Sequence, residues 1–252
     1  MNETSQQQKS APDRNYRHRL IVALDHSDPV EAAALVDTLA DDVTSYKIGM
    51  ELYHSNGSEL VTRLADRGKH VFLDLKFHDI PNTVAQASKA VTRLGVAMFN
   101  LHAAGGSDMM KRAKDASLEA AAALGKPAPL LLAVTVLTSM NQQTFENDLG
   151  FSGRIEDKVL NWARMTQKAG LDGVVASARE AAAIKRVCGE SFLIVTPGIR
   201  PKGSMADDQQ RIMDPATALR EGADYLVVGR PITRHKNPVE AARLILREME
   251  GI

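Results

Sequence analysis

The 252-residue chain contains one cysteine, Cys188, which excludes an internal disulfide and any cysteine-built zinc site and suits a reducing compartment. Net charge is also lacking, since 31 Lys and Arg balance 31 Asp and Glu. A protein made for general attraction to nucleic acid or an anionic membrane would be basic, so neither is an expected partner and any anion must be caught locally. No apolar run is longer than LLLAVTVL at 130–137, far short of the ~20 residues of a membrane-spanning helix. The opening MNETSQQQKSAPDRNYRH has no apolar segment of the kind a signal peptide carries, and residues 1–18 read as a disordered, flexible polar tail. A cytoplasmic location follows as an expectation. No G-x-G-x-x-G follows the first apolar run, which weighs against an open dinucleotide-binding sheet.

What the chain does have is alternation. At 44% hydrophobic and 25% charged residues, it has an ordinary core-forming composition. Short apolar runs at 20–25, 45–51, 70–76, 97–103, 130–137, 173–177, 192–197 and 225–229 read as strands. Helical periodicity follows each one, at 29–40, 59–67, 83–94, 108–124, 155–168, 179–187, 214–220 and 238–250. Ser27 and Asp28 precede Pro29, and Asn237 precedes Pro238, a cap before a proline at the first helical position. Eight β/α units in one stretch predict an α/β fold, a single (β/α)8 TIM barrel over 19–252. In such a barrel, function belongs where the strands end.

The unusual residues lie at those ends. Alternation along the first strand sends Ile21, Ala23 and Asp25 to one face and Leu20, Val22 and Leu24 to the other, so Asp25 faces the barrel mouth. Its competing use as a helix cap is already served by Ser27 and Asp28. In the second strand Lys47 and Gly49 point inward, which buries an ammonium unless a carboxylate meets it; the alternative is a surface lysine. In the third, Phe72, Asp74 and Lys76 share the inner face and Asp79 follows. Singly, Lys76 could be an end-of-strand lysine and Asp79 a cap for a helix opening at Pro81. Together with Asp25 and Lys47 they read as an alternating charge network. Met98, Asn100 and His102 point inward from the fourth strand, with His102 in a supporting role.

An anion site is legible further on. The seventh strand runs into TPGIRPKGSMADDQQR, with Gly198, Arg200, Lys202, Gly203 and Gln209, and the eighth ends in Gly229 and Arg230. Loops after these two strands commonly bind phosphate in this fold, with arginine forking onto its oxygens. A solvated basic loop is the plainer alternative.

The segments VALD (22–25), YKIG (46–49), LDLKFHDIPNTV (73–84), VTVLTS (134–139), TPGIR (196–200) and VGRPI (228–232) resemble the orotidine 5′-phosphate decarboxylases in their stand-alone bacterial form, from about Leu20 to the end. The resemblance implies decarboxylation of orotidine 5′-phosphate to UMP, the last step of de novo pyrimidine synthesis, with no cofactor and no metal. It implies a homodimer with active sites shared across the interface. By the same resemblance, Lys76 is the proton donor and Asp74 its partner facing the substrate carboxylate. Asp25 and Lys47 hold the ribose hydroxyls, and Lys47 also joins the charge network. Asp79, with Ile80 and Thr83, reaches into the neighbouring subunit's site. Thr138 and Ser139 face the pyrimidine, and Arg200, Gln209, Gly229 and Arg230 close on the phosphate. The D-x-K-x-x-D core alone is shared with sugar-phosphate decarboxylases and hexulose-phosphate synthases, in which the carboxylates would hold Mg²⁺. A nucleotide-binding barrel without catalysis is a further alternative, although it gives the buried Lys76 no purpose.

Overall fold

A computed structural model describes residues 16–201 and 213–251. A four-residue helix, α1 (Tyr16–Arg19), leads into the first of eight parallel strands. These are β1 (Leu20–Ala23), β2 (Ser45–Gly49), β3 (His70–Phe77), β4 (Met98–His102), β5 (Leu130–Val134), β6 (Gly173–Val175), β7 (Leu193–Thr196) and β8 (Tyr225–Val228). They pair in sequence order and β8 closes on β1, giving the expected (β/α)8 barrel. Helix α2 (Pro29–Leu39) follows β1; α3 (Met50–Asn56) and α4 (Glu59–Asp66) follow β2; α5 (Pro81–Arg93) follows β3; α6 (Gly106–Leu124) follows β4. Helices α7 (Gln142–Asn147) and α8 (Ile155–Lys168) follow β5, α9 (Ala178–Cys188) follows β6, and α10 (Pro215–Arg220) follows β7. The last strand is followed by α11 (Arg230–Thr233) and α12 (Pro238–Glu250).

Period-two alternation builds the two apolar layers. Ile21, Ala23, Phe72, Met98, Leu132, Val195 and Val227 fill the barrel interior, whereas Leu20, Val22, Leu24, Tyr46, Ile48 and Leu73 turn outward onto the helices. The caps read from the sequence act as such: Val30 N–H donates to Asp28 Oδ1 at 2.7 Å, and Glu240 N–H to Asn237 Oδ1 at 3.2 Å. Among the described residues, no helix is long and apolar enough to cross a membrane.

The structure departs from the expected boundaries in three ways. Within the expected tail, α1 belongs to the barrel: Arg19 donates to the carbonyls of Asp224 (2.7 Å) and Ala223 (3.0 Å), and Ser45 Oγ donates to the carbonyl of His18 at 3.0 Å. The rest of the expected tail, 1–15, lies outside the described residues, as does Gln209. Helices α3, α7 and α11 were not expected. Helix α5 starts at Pro81 rather than Thr83, because proline's fixed φ suits the first helical position.

Candidate active site

Where the apolar interior ends at the C-terminal face of the strands, alternation delivers charge. Asp25 stands just past β1, Lys47 on β2, and Asp74 and Lys76 on β3. They form a continuous chain of ion pairs: Asp25 Oδ1 to Lys47 Nζ 3.2 Å, Lys47 Nζ to Asp74 Oδ2 3.3 Å, and Asp74 Oδ1 to Lys76 Nζ 2.7 Å. Asp74 is 9% exposed. Burial pushes its carboxyl pKa up, but Lys47, Lys76 and hydrogen bonds from Lys76 and Asn100 outweigh that and hold it below the ordinary carboxylate value. For Lys47 burial favours the neutral amine, and Asp74 and Asp25 outweigh it, raising the ammonium above the usual lysine value. Lys47 and Asp74 therefore both carry charge at neutral pH, a cation against an anion at the centre of the chain. Both oxygens of Asp74 are engaged before any ligand arrives.

Two glycines leave room for this chain. A Cβ at Gly49 would lie 3.0 Å from Lys47 Nζ, and one at Gly229 would lie 3.1 Å from Asp25 Oδ2. Any side chain there would press on the charged groups, so Gly229 brings bare backbone up to Asp25.

Lys76 and Asp74 line a cavity of about 220 Å³ together with Lys47. Phe72, Val134, Val175 and Val227 form its apolar lining, with Thr138, Ser139 and Pro197 also bordering it. A largely apolar cleft with a few converging charged groups is the usual form of a small-molecule site. Arg200 is buried, and its Nη1 donates to the carbonyl of Ile199 at 3.0 Å. Ile199 bridges Met213, and Arg200 N–H donates to the Met213 carbonyl at 3.1 Å, so the long loop leaves from and returns to one point beside β7. Arg230 is half-buried at the start of α11, directly after Gly229.

Four of the residues singled out, Asp79, Ile80, Thr83 and His102, stand apart from this cluster. Asp79 accepts from the N–H of Ile80 at 2.6 Å and joins no ion pair among the described residues. It does not cap α5, whose N-cap is Ile80 without a side-chain bond. Asp79, Ile80 and Thr83 are all exposed, Ile80 by 66%. The His102 ring lies 5.5 Å from that of His78, and burial, then His78 and Lys76, lower its pKa so that it is neutral.

One residue of the cluster went unassigned in the sequence reading. Asn100 on β4 is buried, donates to Asp74 Oδ1 at 2.7 Å and accepts from the N–H of Lys76 at 2.8 Å. Its signal was an inward-facing amide between apolar neighbours in the strand MFNLH.

A sequence model described as the Orotidine 5'-phosphate decarboxylase / HUMPS family matches residues 18–245. Proteins named orotidine 5'-phosphate decarboxylase from Moorella thermoacetica and Carboxydothermus hydrogenoformans are each 51% identical to this chain. The first alignment covers 94% of both chains; the second covers 93% of this chain and 97% of the relative. Among solved structures, the orotidine 5'-phosphate decarboxylase from Lactobacillus acidophilus superposes with a TM-score of 0.83 at 37% identity, covering 92% of this chain and 99% of that one.

Proposed function

The chain belongs to the orotidine 5′-phosphate decarboxylase / HUMPS family, and from that premise we infer how its mouth carries out the decarboxylation of orotidine 5′-phosphate to UMP and CO2, the last step of de novo pyrimidine nucleotide synthesis. The relatives about half identical over nearly its whole length carry the decarboxylase name. The observation that carries the mechanism is the run of alternating charge from Asp25 through Lys47 and the buried Asp74 to Lys76.

In the reaction the bond between pyrimidine C6 and the carboxyl carbon breaks, its electron pair stays on C6, and CO2 leaves. The Lys76 ammonium then gives its proton to C6, yielding UMP, and the resulting amine recovers a proton from water. The ring delocalises the C6 electron pair poorly, so the site itself must stabilise the charge. An ammonium held 2.7 Å from Asp74 Oδ1 serves as both counter-charge and acid. A substrate carboxylate beside Asp74 adds repulsion that disappears with CO2, about 4 kcal/mol at ~4 Å and an effective dielectric of ~20. Enzymatic accelerations span about 8 to 23 kcal/mol. The larger share therefore comes from electrostatic stabilisation of the transition state, and from phosphate binding energy spent on ordering the site.

The remaining roles follow. Asp25 and Lys47 take the ribose hydroxyls, and Thr138 and Ser139 the pyrimidine edge. Arg200, Gln209, Gly229 and Arg230 take the phosphate. Asp79, Ile80 and Thr83 serve the site of a second copy in a homodimer. Two facts support this last assignment: Asp79 makes no ion pair within its own chain among the described residues, and the isoleucine beside it is exposed. A cytoplasmic setting fits the single, buried cysteine.

The Mg²⁺ alternative needs free carboxylates. Asp74 has both oxygens taken by two lysines and an amide, and Asp79 is turned onto its own backbone. Loss of pyrimidine absorbance on adding orotidine 5′-phosphate, unchanged after EDTA treatment, is the expected result. Absence of turnover, or its loss with EDTA, would overturn this reading.

A further inference from the structure

Lys76 has a backbone conformation that an L-residue disfavours. Its φ is +53°, in the left-handed region that costs a residue with a Cβ about 1–2 kcal/mol. The cause lies in the strand pairing. Leu73 sits opposite Phe99 and Phe77 opposite Leu101, so four steps along β3 match two along β4. The two surplus residues bulge the strand and take its backbone groups out of the ladder, where they need other partners.

Asn100 fills that gap. Its Oδ1 accepts from the Lys76 N–H at 2.8 Å, its Nδ2 donates to Asp74 Oδ1 at 2.7 Å, and the same Asp74 oxygen receives Lys76 Nζ at 2.7 Å. One amide thus closes a ring through the backbone of the lysine and the carboxylate of its partner. At 1% exposure, Asn100 meets almost no water that could replace either bond.

We propose that Asn100 is a positioning residue for the decarboxylation, holding the left-handed turn at Lys76 and the orientation of Asp74 so that the lysine ammonium is fixed at the reacting carbon. The proposal rests on Lys76 as proton donor. An amide is the side chain of this size that offers an acceptor to the backbone and a donor to the carboxylate at once. Without it, the half-buried Lys76 N–H loses this partner, and the bulge relaxes, moving Nζ relative to Asp74. Displacement of a catalytic group by ~1 Å can cost about 100-fold in rate.

Asn100→Ala and Asn100→Asp separate positioning from general stability. Asn100→Ala is expected to lower kcat about 100-fold while UMP affinity stays within about threefold of wild type and circular dichroism reports an intact barrel. In Asn100→Asp the new carboxylate faces Asp74 and repels it. Once protonated, it regains an acceptor and a donor in the same places. Its kcat should therefore rise as pH falls through the acid range, a limb that wild type lacks. A kcat for Asn100→Ala within about threefold of wild type would overturn the proposal, as would parallel losses of kcat and UMP affinity. So would an Asn100→Asp profile parallel to that of wild type. Wild-type protein that failed to turn over orotidine 5′-phosphate would instead sink the assigned reaction, so the two failures are distinguishable.

Discussion

In the proposed mechanism Lys76 unites two demands on one nitrogen, charge for the electron pair left on C6 and a proton for that carbon. Lys76→Ala removes both, so turnover should fall below about a tenth of wild type, and by far more if the lysine is the sole acid, while UMP still binds. Measuring kcat and UMP affinity on one preparation decides it, and a rate above that tenth is incompatible with a main acid role. The charge chain also predicts a pH dependence. Asp74 has a depressed pKa in the folded state, so its contribution to stability is present above the ordinary value of 3.8 and is lost as pH falls through the depressed one. Lys47 has a raised pKa, so its contribution is fully present below the ordinary 10.5 and is lost as pH rises through the raised value. The stability difference between wild type and Asp74→Asn in urea should accordingly be flat through the neutral range and shrink only on the acid side of 3.8. A difference already shrinking near neutrality would mean that the lysines do not hold Asp74 ionised.

At the scale of elements, one device recurs at the bottom of the barrel. Asp172 directly precedes β6, and its Oδ2 accepts from Leu131 N–H of β5 (2.7 Å) and from Lys114 of α6 (2.6 Å). Asp224 directly precedes β8, and its Oδ2 accepts from Ile194 N–H of β7 (2.8 Å) and from Lys185 of α9 (2.8 Å). Each aspartate follows a glycine of positive φ that ends the preceding helix, Gly170 (85°) or Gly222 (104°). The device clamps helix, loop and two strands at one carboxylate. Because the Lys185 side chain is only 7% exposed, Asp224→Ala leaves a buried cation unpaired and should cost about 3–5 kcal/mol. Asp37→Ala, which breaks the exposed Arg67 pair, should cost no more than about 1 kcal/mol. Equal denaturation midpoints for the two variants would remove the clamp's claim.

Strand alternation is what made the site legible from sequence, because period two assigns Lys47 and Asp74 to the inner face whatever the helices do. The bulge at Lys76 was not legible, since its left-handed φ arises from the shifted pairing of β3 with β4 and not from local preference. Asn100 was read as inward-facing, but its work depends on that irregularity.

For the whole molecule, the open question is what Asp79 meets. It lies past β3, exposed and outside the charge chain of its own barrel. In a two-fold dimer each patch meets its copy, so one site would combine Lys76 of one chain with Asp79 of the other. Lys76→Ala and Asp79→Ala proteins, each nearly inactive alone, can be mixed and allowed to exchange subunits. In a hybrid, one site then carries both lesions and the other carries neither. Random exchange makes about half the dimers hybrids with one intact site of two, so about a quarter of wild-type activity should return. Were Asp79 to act within its own barrel, every site would keep a lesion and nothing would return. Native mass spectrometry separates that outcome from failed exchange by counting hybrids directly. Hybrids formed without recovered activity would return Asp79, Ile80 and Thr83 to the surface of a single barrel, and the exposed isoleucine would then lose its assigned role at a subunit boundary.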